Sequence, residues 1–127
     1  AAASDAGRAI NPRLVQGQME GGVGFGLGFA LSEEVVFEKG KTLNPLLTDY
    51  RLSTSVDMPL VDAILLEEGK GGGPYGVLGV GETPNIPTGP AVANAIYNAT
   101  GLRLQELPIT PEKVRRALRE KGERPAL

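Results

Sequence analysis

Neither cysteine nor histidine occurs anywhere in the chain. Their absence removes disulfides, zinc sites of the usual kind and iron–sulfur ligation from what the chain can supply by itself. It also removes Ser–His–Asp and Cys–His catalysis. A metal would have to sit on carboxylates or arrive inside an organic cofactor. No charge of one sign dominates either: 13 Lys and Arg stand against 15 Asp and Glu. Nothing in that balance points to a nucleic-acid or membrane surface. No stretch reaches the length of a membrane span, and Ala1 to Ile10 lacks the apolar centre of a signal peptide. A cytoplasmic location is compatible with these absences.

What the chain has in quantity is glycine and proline. The 18 glycines and 10 prolines make up about a fifth of the 127 residues, below the roughly 25–30% typical of low-complexity chains. A loop-rich globular chain follows, sized for a single domain over residues 1–127. About two thirds of its unfolded surface could be buried.

Local signals divide the chain into elements. Asn11-Pro12 reads as N-cap and first helical residue, and behind it Val15, Met19, Val23, Leu27 and Ala30 recur at helical spacing. The same segment holds six glycines, from Gly17 to Gly28. At roughly 0.8–1 kcal/mol each against alanine they would cost about 5 kcal/mol in a helix. Close packing of another backbone, a ligand against the helix, or a partly looped segment would have to compensate. Gly24, Gly26 and Gly28 do not form a dinucleotide fingerprint, because the third spacing is wrong and no strand precedes them. Glu34 to Glu38 reads as a strand, Lys39-Gly40 as a turn and Lys41 to Leu43 as the returning strand, ended by Asn44-Pro45. Leu46 to Ser55 is ambiguous. Leu60 to Glu67 reads as a strand buried on both faces, and Gly69 to Pro74 as a loop. Pro90 opens a helix to Thr100, with Val92, Ile96 and Ala99 on one face and Gly101 as its stop. Thr110-Pro111-Glu112 opens the last helix. Val114, Ala117 and Leu118 form its apolar stripe, Arg119 and Lys121 suit its negative end, and Gly122 and Pro125 stop it. The class is α+β: a glycine-rich helix, a short hairpin or sheet, and two C-terminal helices.

One carboxylate stands almost alone. Between Gly71 and Leu102 the only charged side chain is Glu82, in Gly79-Val80-Gly81-Glu82-Thr83-Pro84. Glycine on the approach lets backbone come close to a ligand, and proline stiffens the exit. In a dry site an acid without a nearby cation is harder to ionise, which suits a general base near neutral pH. The plain alternatives are a solvated loop residue or a helix-capping Glu.

Taken together, four stretches resemble one family. They are Asp5-Ala6-Gly7-Arg8-Ala9-Ile10-Asn11-Pro12, Gly17-Gln18-Met19-Glu20-Gly21-Gly22, Gly79-Val80-Gly81-Glu82 and Pro90-Ala91-Val92-Ala93-Asn94-Ala95-Ile96. Leu107 to Val114 also fits. In order and spacing they are similar to the C-terminal end of the molybdopterin-binding subunit of the xanthine dehydrogenase and aldehyde oxidase family of molybdenum hydroxylases. The resemblance implies that Glu82 is the catalytic base beside molybdenum. It would take a proton from a metal-bound hydroxyl whose oxygen ends on a carbon of a heterocycle or aldehyde. It implies that the backbone of Val80 and Gly81 approaches the metal ligands and that Gln18 hydrogen-bonds the cofactor. An amide offers both donors and an acceptor for that task. The implied cofactor is molybdenum–molybdopterin, the cytosine dinucleotide being one form, shared with a partner chain. Iron–sulfur clusters and FAD would lie only on other chains or domains. The implied partners are a larger molybdopterin-subunit chain, iron–sulfur and flavin subunits, and a small-molecule substrate, with no nucleic acid and no membrane.

Other residues have plainer readings. Gln18 could face solvent, and Glu20 could pair with Arg13 or Arg51. Asp49, Tyr50 and Arg51 read as makers of core hydrogen bonds. Tyr75 is equally a loop anchor or a substrate contact. Leu78 departs from the family, many of whose members carry lysine before the Gly-Val-Gly-Glu run. Length departs too, since the family's subunit is several times longer; a separately encoded or excised fragment that needs a partner chain is the expectation. A non-catalytic assembly module that keeps the fold is the competing reading.

Overall fold

The structure is a computed structural model describing residues 1–69 and 71–123. Its elements follow the order β1 (Ala2–Asp5), α1 (Pro12–Leu31), β2 (Phe37–Glu38), β3 (Lys41–Thr42), β4 (Ala63–Leu66), α2 (Thr88–Thr100) and α3 (Pro111–Glu123). Two compact units are formed, Ala1–Gly26 with Thr54–Thr88 and Leu27–Ser53 with Gly89–Leu127.

The first unit is built around the start of α1. Asn11 caps that helix: its Oδ1 accepts the N–H of Leu14 at 3.2 Å and its carbonyl accepts the N–H of Val15 at 3.1 Å. Met19, at the centre of the expected stripe, is fully buried, and Ala6 joins it in the core. β1 pairs in parallel with β4, Ala2 opposite Ala63 through Asp5 opposite Leu66. The sequence reading did not expect β1, whose Ala-Ala-Ser-Asp composition carries no strand signal. The burial of β4 is also corrected. Its residues alternate between half-buried and exposed, and Ile64 and Leu66 are 49% and 40% exposed. One face of this two-stranded sheet is thus left partly exposed among the described residues. After β1 the chain turns at Gly7, whose φ of 63° is left-handed. A side chain there would run into the carbonyl of Gly76, so the turn needs glycine. Asp5 Oδ1 accepts the N–H of Gly7 at 2.8 Å, and Leu78 donates to the carbonyl of Ala6, also at 2.8 Å.

In the second unit the hairpin forms as read, though shorter. Phe37 opposes Thr42 and Glu38 opposes Lys41, and Lys39 and Gly40 both turn with positive φ. Glu34 to Val36 stay outside the strand because Asn44 engages their backbone instead. Its Nδ2 donates to Glu34 O at 2.7 Å and its Oδ1 accepts from Val36 N–H at 2.9 Å. Ala30, Leu102 and Ile109 form the buried core here, tied by Ile109 N–H donating to Ala30 O at 2.6 Å. α2 begins at Thr88, two residues before the expected proline, and ends at Thr100, followed by Gly101 with φ 68°. Its inward face is Val92, Ala93 and Ile96; Ala99, expected there, is exposed. α3 starts as read, with Thr110 Oγ1 accepting the N–H of Lys113 at 3.3 Å. Leu118 departs from the expected stripe, being 44% exposed. Gly122 does not stop the helix, which continues to Glu123; Pro125 lies outside the described residues. Tyr50 makes the expected polar link, donating its hydroxyl to Glu33 Oε2 at 2.8 Å. That carboxylate raises the Tyr50 pKa, first by the hydrogen bond.

Among the described residues no helix is long and apolar enough to cross a membrane. Nor, among the same described residues, is any group of three or more acidic residues placed to hold a metal ion.

Candidate functional site

The residues singled out in sequence meet in the first unit. Gln18 sits on α1 between Gly17 and the Gly21-Gly22 pair. Gly81 and Glu82 lie in the loop that leads into α2. Together with Phe25 and Asn85 they line one open hollow of about 250 Å³. Among the described residues Glu82 is the only charged one on its wall, and it is exposed. The described residues therefore do not enclose Glu82 in dry surroundings.

Val80 is placed differently. It lines a second hollow of about 250 Å³, with Arg8, Ile10, Leu14 and Leu78 on its wall. Gln18 borders both hollows. Leu78 gives that second hollow an apolar stretch of wall.

The loop bearing Glu82 is fixed by its own hydrogen bonds. Asn85 N–H donates to Glu82 O at 3.0 Å, Thr88 N–H to Asn85 O at 3.3 Å, and Thr88 Oγ1 to Pro84 O at 3.1 Å. Pro84 and Thr88 are buried. Beneath the loop runs the glycine-rich face of α1. A Cβ on Gly22 would lie 2.9 Å from Pro84 Cβ, and one on Gly26 would lie 2.6 Å from Thr88 Cβ. Gly17 and Gly21 behave differently: a Cβ there would meet nothing within 4 Å. Two expected reasons for the costly glycines are thus separated along the helix. Gly22 and Gly26 admit a neighbouring backbone; Gly17 and Gly21 leave the wall of the hollow bare.

Other readings resolve as follows. Glu20 accepts a hydrogen bond from Gln16 Nε2 at 2.8 Å, in place of the expected arginine. Tyr75 is 80% exposed and has φ 59°; burial does not anchor it. Phe25 and Asn85 were not singled out in sequence. Asn85 carried a usable signal, standing one turn beyond Glu82 in a segment otherwise free of long polar side chains. Phe25 carried none, since an aromatic among helical glycines reads equally as core.

The model of the molybdopterin cofactor-binding domain family matches residues 1–59. The chain is 38% identical over 112 residues to the xanthine dehydrogenase molybdenum-binding subunit of Escherichia coli O157:H7, covering 87% of this chain and 15% of that protein. The crystal structure of quinoline 2-oxidoreductase from Pseudomonas putida 86 superposes with a TM-score of 0.84 at 33% identity, over 97% of this chain and 16% of that one. Aldehyde oxidoreductase from Desulfovibrio gigas gives 0.82 at 36% identity, over 92% and 13%. The chain belongs to the molybdenum hydroxylase family. Its three helices and small sheets are an α+β segment of the larger molybdenum hydroxylase structures. It spans about 15% of the length of the curated relative named here. The likeness reaches well beyond the 59 residues of the domain match, since the structural superposition covers 97% of the chain.

Proposed function

We propose that this chain is the base-bearing segment of a molybdenum hydroxylase that inserts water-derived oxygen at an electron-poor carbon of a heterocycle or aldehyde. In this reading residues 1–127 are one part of a molybdopterin-binding domain completed by a larger partner chain. Iron–sulfur and flavin groups lie on other chains or domains.

One observation carries the reading: Gln18, Gly81 and Glu82, far apart in sequence, line the same hollow. Its donor set fits a molybdopterin. Bare backbone at Gly17 and Gly21 leaves room for a flat, polar group to lie against α1. The Gln18 amide offers two N–H donors and a carbonyl acceptor, and Gly81 adds a stretch of wall without a side chain. When bound, the molybdenum cofactor supplies the redox centre that takes up the substrate's electrons. The chain's own part is to hold and move a proton. Glu82, the single charged group on the wall, accepts it at a carboxylate oxygen. The names xanthine dehydrogenase, quinoline 2-oxidoreductase and aldehyde oxidoreductase support the substrate class.

The test is Glu82→Gln in the assembled enzyme. The amide keeps the shape and cannot act as base. Turnover should fall by at least about 10²–10⁴-fold, the usual worth of general-base catalysis, with molybdenum content and assembly unchanged. Retained turnover would favour the second reading, a non-catalytic assembly module, to which the apolar Leu78 also points.

A further inference from the structure

We propose that Gly22 and Gly26 are positioning residues for Glu82: they form a side-chain-free seat on α1 that sets where the Glu82 loop rests. The inference rests on the base assignment above.

The glycines of α1 do not contribute equally. At Gly26 an added Cβ would meet Thr88 Cβ at 2.6 Å, Asn85 Oδ1 at 2.9 Å and Asn85 O at 3.0 Å. At Gly22 it would meet Pro84 Cβ at 2.9 Å and Asn85 N at 3.3 Å. Most of these atoms are backbone, proline ring or Cβ, which cannot swing aside as the end of a long side chain can. Carbon pairs settle near 3.5–4.0 Å, so even alanine would lift the loop by about 1 Å. The loop could not absorb the lift locally. Pro84 and Thr88 are buried, and the loop is closed by Asn85 N–H to Glu82 O, Thr88 N–H to Asn85 O and Thr88 Oγ1 to Pro84 O. Displacement of Pro84, Asn85 and Thr88 therefore passes through the Asn85–Glu82 bond to the carboxylate. Gly24 supplies the contrast on the same helix. Its added Cβ would meet only the Sδ and Cε of Met58, at 3.0 and 3.7 Å, and a methionine can turn its end away.

The experiment uses the assembled enzyme with Gly22→Ala, Gly26→Ala or Gly24→Ala. Turnover is normalised to bound molybdenum, and hydrogen exchange is read at the amides of Asn85 and Thr88. All three changes give the same helix-propensity gain, so a plain effect on α1 moves them together. The inference expects kcat per molybdenum to fall in Gly22→Ala and Gly26→Ala, by about 100-fold for a 1 Å misplacement. KM should stay unchanged, Asn85 and Thr88 should lose protection, and Gly24→Ala should behave as the parent. Parental kcat with undisturbed protection in Gly22→Ala and Gly26→Ala would overturn it, as would an equal loss in Gly24→Ala. Where Gly26→Ala yields no folded enzyme, the shallower contact at Gly22 decides. Glu82→Gln run alongside separates the two readings. If that variant keeps turnover, the base assignment falls, while the exchange data still report whether the seat holds the loop.

Discussion

Gln18 and Glu82 line the same hollow of about 250 Å³, one from helix α1 and the other from the loop entering α2. The amide and the carboxylate divide the work by chemistry. One can donate and accept at once, while the other is acceptor-only when ionised. That difference makes them separable by mutation.

Gln18→Ala in the assembled enzyme should weaken cofactor retention and leave the fold intact, because Gln18 is exposed within this chain. A single lost hydrogen bond is worth about 0.5–1.5 kcal/mol, which converts to roughly two- to twelvefold faster loss of molybdenum on dialysis. Metal analysis of dialysed enzyme reads it directly. Retention equal to the parent would remove Gln18 from the cofactor's contacts.

Gly21→Leu should separate stability from loading. Nothing lies within 4 Å of a Cβ at that position, and leaving glycine in a helix gains up to about 1 kcal/mol. The protein should therefore be no less stable to urea, while its molybdenum content drops to background because the side chain occupies the hollow. Full molybdenum loading would show that the cofactor lies elsewhere.

The third prediction concerns pH. Glu112, in the first turn of α3, is held below the ordinary glutamate pKa by its backbone N–H, then by the Thr110 hydroxyl, with the Arg51 charge a lesser cause. A depressed folded-state pKa contributes stability above the unfolded value, and that contribution is lost as pH falls through the folded value. The start of α3 should thus fray on acidification. Thr110→Ala should cost about 1 kcal/mol of capping at neutral pH and should blunt the acid sensitivity that remains. Exchange rates of the Lys113 and Val114 amides, followed from neutral to acidic pH, check both statements.

Elements closed by neighbouring residues were legible in the sequence. Asn11-Pro12, Lys39-Gly40, Gly101 and Thr110-Pro111 each act through bonds to residues within a few positions. They placed α1, the hairpin turn, the end of α2 and the start of α3. β1 was not legible because its pairing with β4 depends on residues 61 positions away, and Ala-Ala-Ser-Asp holds no local trace of it. The exposure of Ile64, Leu66 and Leu118 was equally out of reach. Apolar spacing says which residues share a face, but not whether this chain supplies what covers that face. For the site, Glu82 stood out by its isolation and Gln18 by its motif. Asn85 was passed over although it stands one turn beyond Glu82, and its approach to Gly26 exists only in the folded loop.

The place of Gln18 on the border of both hollows has a consequence for how the protein can vary. Any ligand or neighbouring chain that enters one hollow presses on the same partition that shapes the other. Changes at Ile10 or Leu14 on one side and at Phe25 or Asn85 on the other should therefore show coupling through Gln18 in a double-mutant cycle.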